Sequence, residues 1–183
     1  MSTAVEQNIK DLVKTEVDSQ LAEIKKHLPE DKVSIIVFSG DFDKAMAAFM
    51  MANGAVAMGM EVTMFFTFWG CSVIKKGRRL KGKGFFHKMI NIMLPATSKS
   101  LKPSQMAFGP IGRKLFNHMM KGKMQPLEEM IEMAVDLDVK FQVCAPSLEV
   151  MGFDADEWLV PANICGVAAM YDIALRAKVA YFI

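Results

Sequence analysis

Cys144 is the cysteine whose sequence context is best suited to chemistry. It follows the strand predicted at residues 139–143 and precedes Ala-Pro-Ser, a helix-start pattern that ends at Gly152. We expect its sulfur to be exposed at the edge of a sheet, near unpaired N–H groups that favour the thiolate. The thiolate is the nucleophile and the form that takes up and hands on a sulfur atom. A buried core cysteine is the alternative, which the local pattern leaves open.

The other two cysteines have weaker contexts. Cys71 follows Trp69-Gly70 at the end of a neighbouring strand, where it is either a second thiol or a small residue that opens a helix. A Cys71–Cys144 redox pair would require Cα atoms within about 7 Å of each other. Cys165 falls inside a helix predicted over residues 161–178, which favours a packing role. The sequence has no CxxC, so a thioredoxin-type dithiol is excluded.

No cofactor or metal site is predicted. The three histidines, His27, His87 and His118, are too scattered for a metal-binding spacing. The turn Ser39-Gly40-Asp41 is not a dinucleotide fingerprint, because GxGxxG is lacking, and a P-loop is also absent.

Strands and helices alternate along the chain. Strands are predicted at residues 33–38, 62–68, 139–143 and 179–182. Helices are predicted at 3–28 (ended by Pro29), from an Asp41 or Asp43 cap to Met58, from Pro126 onward, and at 161–178. This order is typical of a three-layer α/β fold with a parallel sheet, in which ligands bind beyond the carboxyl ends of the strands. Besides Cys144, the candidate lining residues there are Ser39, Gly40, Asp41, Trp69, Gly70 and Ser147.

Length and composition indicate one α/β domain. The 183 residues are 52% apolar, which suffices for a single core over residues 31–183. An amphipathic helix over residues 1–30 precedes it, packed on its own domain or on another copy. Glu61 interrupts the apolar stretch 45–74, so no membrane span is predicted. Few cysteines and no visible signal peptide favour a cytoplasmic protein.

Residues 75–125 form a basic insertion in that domain. From residue 62 to residue 127 the chain has 13 lysines and arginines and no carboxylate. Three interpretations remain open: an insertion docked on its own domain, a docking surface for an acidic protein, or a cationic helix on a membrane surface. Two amphipathic helices are predicted within it, at 84–94 and 112–120. Nucleic acid is not a predicted partner, because no recognition motif accompanies the charge.

Three segments carry a resemblance to a known family. They are FSGDFDKAMAAFMMANGAVAMGMEVTMFFTFWG, PLEEMIEMAVDLDVKFQVCAPSLEVMGF and GVAAMYDIALRAKVAYFI. Together they resemble the DsrE/DsrF-like family over about residues 32–183, and more narrowly the DsrE-like sulfurtransferases, some of which are labelled peroxiredoxin-family proteins. The most specific match is Cys144 followed by Ser147, Met151 and Gly152.

The resemblance implies a five-stranded, flavodoxin-like domain that assembles into homo-oligomers. It also implies that Cys144 carries sulfane sulfur as a persulfide, received from one protein and passed to another. Cys71 stands where an apolar residue is commoner in the family. Peroxidase activity is not expected, because the sequence shows no site built for peroxide.

Overall fold

A computed structural model describes residues 2–104, 114–115, 118–119 and 122–183. The chain divides into two compact units, Met1–Glu30 and Asp31–Ile183. Most of the predicted helix at 112–120 lies outside the described residues.

The first unit contains helix α1, Ser2–His27, which ends one residue before the predicted end at residue 28. The further described helices are α2 (Phe42–Ala57), α3 (Phe85–Met93), α4 (Leu127–Asp136), α5 (Ala145–Met151) and α6 (Val167–Arg176). A 3-10 helix spans Phe68–Ile74 and a shorter one spans Ser98–Ser100. The strands are β1 (Glu30–Val37), β2 (Glu61–Phe66), β3 (Lys140–Cys144), β4 (Ala162–Cys165) and β5 (Ala177–Phe182).

The strands form one parallel sheet in the order β4-β3-β2-β1-β5. Val37 pairs with Phe66, Phe66 pairs with Val143, and Cys144 pairs with Cys165. The carboxyl ends of neighbouring strands therefore meet at one edge, as the predicted three-layer, flavodoxin-like α/β architecture requires. The predicted fold class is confirmed.

The two faces of the sheet differ in what covers them. The main core packs the first face against α2 and α4, with Phe49, Phe66 and Phe141 at its centre. The second face carries a small cluster in which Phe65 and Cys144 of the sheet pack against Met170 of α6. Because side chains alternate along a strand, Phe65 and Phe66 lie on opposite faces.

The helix predicted over residues 161–178 is wrong in its first third. Residues 162–165 form β4, and α6 begins only at Val167, after Gly166 at the N-cap. Pairing with β3 overrides local propensity here, because the backbone groups of β4 are satisfied by the ladder. Cys165 therefore ends a strand and does not lie within a helix.

The ends of β1 and β2 approach each other closely at Gly70. The Gly70 N–H donates a 2.8 Å hydrogen bond to the Phe38 carbonyl, and a Cβ added at Gly70 would lie 2.0 Å from the Val37 carbonyl oxygen. A Cβ at Gly40 would lie 2.7 Å from the Trp69 carbonyl oxygen. Both glycines are therefore required by backbone contacts between these loops.

We expect Gly70→Ala to lower the free energy of unfolding by about 3 kcal/mol, because the new methyl group overlaps backbone that cannot rotate away. Gly54→Ala is the matched control. Gly54 lies inside α2 with nothing within 4 Å of the added Cβ, so this change should raise stability by up to ~1 kcal/mol. Urea unfolding measures both. Equal effects of the two substitutions would contradict the close approach.

Candidate functional site

Candidate residues from the ends of β1 and β2 line one cavity of about 810 Å³. Ser39, Gly40 and Asp41 contribute from the end of β1, and Trp69 contributes from the 3-10 helix that follows β2. Lys44, Arg78 and Lys102 also line the cavity, which gives it a cationic wall. Its position is the one predicted for a ligand site in this fold.

Two polar side chains at this cavity, Asp41 and Ser72, do not make the hydrogen bonds expected at their positions. Asp41 occupies the N-cap of α2, but its carboxylate makes no capping hydrogen bond and instead pairs with Lys44 at 2.8 Å. The Ser72 hydroxyl, also at the cavity, is buried and has no hydrogen-bond partner in the part of the chain that the structure describes.

Ser147, in the first turn of α5, contacts the segment that follows β2. Its hydroxyl accepts a 3.1 Å hydrogen bond from the Phe68 N–H and shares a 2.9 Å hydrogen bond with the Thr67 hydroxyl. Phe68 has φ of 45°, in the left-handed region that a bulky residue rarely adopts. Ser147 therefore holds a strained backbone in place, and in this structure its contacts are with the protein itself.

The expected exposure of Cys144 is wrong. Cys144 is the last residue of β3 and the N-cap of α5, as the helix-start pattern predicts, but it is only 4% exposed. It packs beside Phe65 and Met170 on the α6 face. The apolar surface that covers it comes from a helix more than 20 residues further along the chain, so the local pattern could not reveal it.

Cys165 lies directly opposite Cys144 on the neighbouring strand. The two residues are register partners in the β3–β4 ladder, and Cys165 is only partly buried, against the cluster that contains Cys144. Burial raises the pKa of the Cys165 thiol, and a negative charge on Cys144 raises it further. The sequence pattern does not predict this neighbour, because it predicts a helix where β4 lies. The available signal is Gly166, which directly follows Cys165 and is the N-cap of α6.

Cys71 is fully buried and belongs to the main core. Burial raises the pKa of its thiol well above the ordinary range, and the charge of Cys144 contributes. Cys71 and Cys144 belong to different hydrophobic clusters. A redox pair between Cys71 and Cys144 stays a prediction.

The start of the basic insertion is anchored by a buried ion pair. Lys75 is 0% exposed; its ammonium donates a 3.0 Å hydrogen bond to Asn91 of α3 and lies 3.6 Å from a Glu157 carboxylate oxygen. The other Glu157 oxygen accepts a hydrogen bond from Lys83. Burial lowers the pKa of Lys75, and the Glu157 carboxylate opposes that shift.

Other cations of the insertion also have partners within the domain. Arg79 contacts Asp156 at 2.6 Å and Asp154 at 3.7 Å. Arg78 donates to the carbonyls of Asn91, Ile92 and Leu94 at the end of α3. The carboxylates absent from the insertion are thus supplied by residues 154–157, which supports the interpretation of an insertion docked on its own domain.

Neither a metal cluster nor a spanning helix is found in the described residues. Among residues 2–104 and 122–183, and the four described between them, no three His, Cys, Asp or Glu side chains are grouped to hold a metal ion. Within the same part of the chain, no helix combines the length and apolarity needed to cross a bilayer.

A parallel sheet with a cysteine at the carboxyl end of β3 is the arrangement expected for the family suggested by the sequence, and comparison identifies that family. Residues 29–182 match the DsrE/DsrF/DrsH-like family, and the chain belongs to it.

The chain is similar to two curated relatives and to one solved structure. The uncharacterized protein YrkE of Bacillus subtilis (strain 168) is 38% identical over 154 residues, which cover 83% of this chain and 96% of YrkE. The sulfur carrier protein DsrE2 of Allochromatium vinosum is 26% identical over 161 residues, which cover 85% of this chain and all of DsrE2. The crystal structure of the ychN protein from E. coli matches with a TM-score of 0.49 and 9% identity, covering 83% of this chain and 98% of that chain.

The buried ion pair gives a test of how the insertion is held. We expect Glu157→Gln to lower the free energy of unfolding by about 3 kcal/mol at pH 7, because it leaves the Lys75 ammonium buried without a counter-ion. The unfolded chain keeps Lys75 near its ordinary pKa of 10.5, so the variant gains stability relative to wild type as pH rises through the lowered folded pKa. Urea unfolding at several pH values measures the difference.

Asp156→Asn is the matched control, because Asp156 pairs with Arg79 in an exposed position. Its expected cost is below about 1 kcal/mol. A loss for Glu157→Gln that is as small as this, or that does not shrink with rising pH, would show that the pair does not anchor the insertion.

Proposed function

We propose that this protein is a sulfur carrier that accepts sulfane sulfur as a persulfide on Cys144 and passes it to a partner protein. One observation carries the proposal: the chain belongs to the DsrE/DsrF/DrsH-like family and aligns with the whole length of a protein named as a sulfur carrier. The position of Cys144 at the carboxyl end of β3 supports it, because reactive groups of open α/β sheets collect at that edge.

The loading step is a transfer between sulfur atoms. The Cys144 thiolate attacks the outer sulfur of a donor persulfide, the new S–S bond forms, and the donor leaves as a thiolate. The same exchange in reverse, with an acceptor thiolate, unloads the sulfur. Because Cys144 is 4% exposed beneath Met170, both steps require a local opening of this edge.

The proposed partners follow from this chemistry. A donor protein brings the sulfane sulfur to Cys144, and an acceptor protein removes it with its own thiolate. Both steps take place in the reducing cytoplasm, where free thiols persist. We also propose that the protein is a homo-oligomer. The outer face of α6 supports this, because its apolar side chains Val167, Tyr171 and Leu175 are exposed at a four-residue spacing.

The second candidate function is a non-enzymatic adaptor that docks on an acidic protein or a membrane surface through residues 75–125. The exposed face of α3 favours it. Phe85, Phe86 and Met93 are each more than 70% exposed, and Lys88 lies on the same short helix. Cationic amphipathic helices of this kind bind anionic headgroups.

The sulfur-carrier proposal predicts a covalent product. Incubation of the reduced protein with glutathione persulfide, without oxygen, should transfer one sulfur to Cys144. To trap it, the experiment uses Cys165→Ser, which removes the neighbouring thiol. We expect a mass gain of about 32 Da that dithiothreitol removes, mapped to the peptide containing Cys144.

Two further variants in the same background control the assignment. Cys144→Ser with Cys165→Ser should lose the mass gain, whereas Cys71→Ser with Cys165→Ser should keep it. Circular dichroism verifies that each variant is folded. Sulfur uptake that survives Cys144→Ser would refute the assignment.

The adaptor proposal predicts salt-dependent membrane binding. We expect the wild type to sediment with phosphatidylserine vesicles at low ionic strength and to be released by added salt. Replacing Phe85 and Phe86 by serine should weaken binding at least ~10-fold, because each buried phenylalanine contributes about 1.5–3 kcal/mol.

Met58→Ser is the control, since Met58 is 82% exposed at the end of α2, outside the insertion. It should leave vesicle binding unchanged. Equal binding by all three proteins, or none at low ionic strength, would eliminate the α3 face as a membrane contact.

A further inference from the structure

The register of β3 and β4 places two free thiols side by side. Cys144 and Cys165 are direct partners in the parallel ladder, and neither is in a disulfide. Neighbouring strands lie about 4.8 Å apart. That spacing lies inside the Cα separation of roughly 4.4–6.8 Å that a disulfide requires.

Both side chains also point to the same face of the sheet. Register partners in a parallel pair share a face, and both cysteines contact the cluster formed with Phe65 and Met170. The sulfur of Cys165 is therefore on the same side as that of Cys144. Cys165 is partly exposed, so it is also the more accessible of the two.

We propose that Cys165 is a resolving thiol that discharges the Cys144 persulfide as hydrosulfide and leaves a Cys144–Cys165 disulfide. This inference rests on the proposed function, because it needs sulfur to arrive on Cys144. It adds a further activity to the carrier: reduction of sulfane sulfur to sulfide, with persulfides as the substrate class.

The step balances without an oxidant beyond the persulfide itself. The Cys165 thiolate attacks Cys144 Sγ, the bond between the two Sγ atoms forms, and the bond from Cys144 Sγ to the sulfane sulfur breaks. The sulfane sulfur leaves with both bonding electrons as HS⁻. Overall, one donor persulfide and two cysteine thiols give one donor thiol, one hydrogen sulfide and one disulfide. A dithiol reductant then returns the pair to two thiols.

Cys71 differs from Cys165 in its burial and in its position relative to Cys144. It is fully buried within the main core, and no strand register pairs it with Cys144 among the described residues. It is therefore not the expected partner in the disulfide, and its replacement serves as the control.

The test treats reduced protein with one equivalent of glutathione persulfide, without oxygen. It measures released sulfide, intact mass and the linked peptides. Wild type and Cys71→Ser should each release about one sulfide per chain, lose about 2 Da, and yield a peptide that joins Cys144 to Cys165. Cys165→Ser and Cys165→Ala should release at least ~10-fold less sulfide and retain a gain of about 32 Da on Cys144. Two substitutions guard against a folding defect in either one.

The outcomes separate the two proposals. If wild type holds the extra sulfur on Cys144 as long as the Cys165 variants do, the resolving role is overturned and the carrier stands. If the linked peptide joins Cys144 to Cys71, the resolving role of Cys165 is likewise overturned. If neither Cys165 variant gains sulfur on Cys144, the carrier proposal fails and the inference fails with it.

Discussion

The parallel pairing of β1, β2, β3 and β4 is the constraint on which the chemistry of this protein depends. A parallel ladder aligns the carboxyl ends of its strands and sends register partners to the same face. This is why Cys144 and Cys165, 21 positions apart in the chain, become neighbours. It also explains why the loops after β1 and β2 meet so closely that Gly40 and Gly70 cannot carry a side chain. The sheet thus separates a cationic cavity near β1 from a thiol pair near β4.

The layout of the sheet was accessible from sequence because the residues of β1 and β2 fall in short, largely apolar runs. Residues 33–38 and 62–68 are rich in β-branched and aromatic side chains, and the structure places β1 and β2 there within a few residues. The end of α5 was also predictable, since Gly152 adopts φ of 66°. By contrast, β4 has four residues and obtains its geometry from hydrogen bonds to β3. No local pattern encodes a partner that lies elsewhere in the chain.

The candidate site likewise depends on contacts between residues that are distant in the sequence. The lining residues Ser39, Gly40, Asp41 and Trp69 could be placed at one edge because topology alone brings them there. The roles of other residues depend on tertiary contacts: Ser147 meets Thr67 across 80 positions, and Met170 covers Cys144 from a later helix. Charge counting likewise located the basic insertion but could not reveal that Glu157 and its neighbours neutralise much of its beginning.

The place of β4 at the end of the sheet has a kinetic consequence for the thiols. Among the described residues β4 is an edge strand of four residues held by a single ladder, so it can fray at a cost far below that of unfolding the core. Fraying would separate Cys165 from Cys144 and expose the Cys144 sulfur. The rate of turnover at these thiols would then depend on how often β4 detaches. A ligand or second subunit bound along the same edge would slow that detachment.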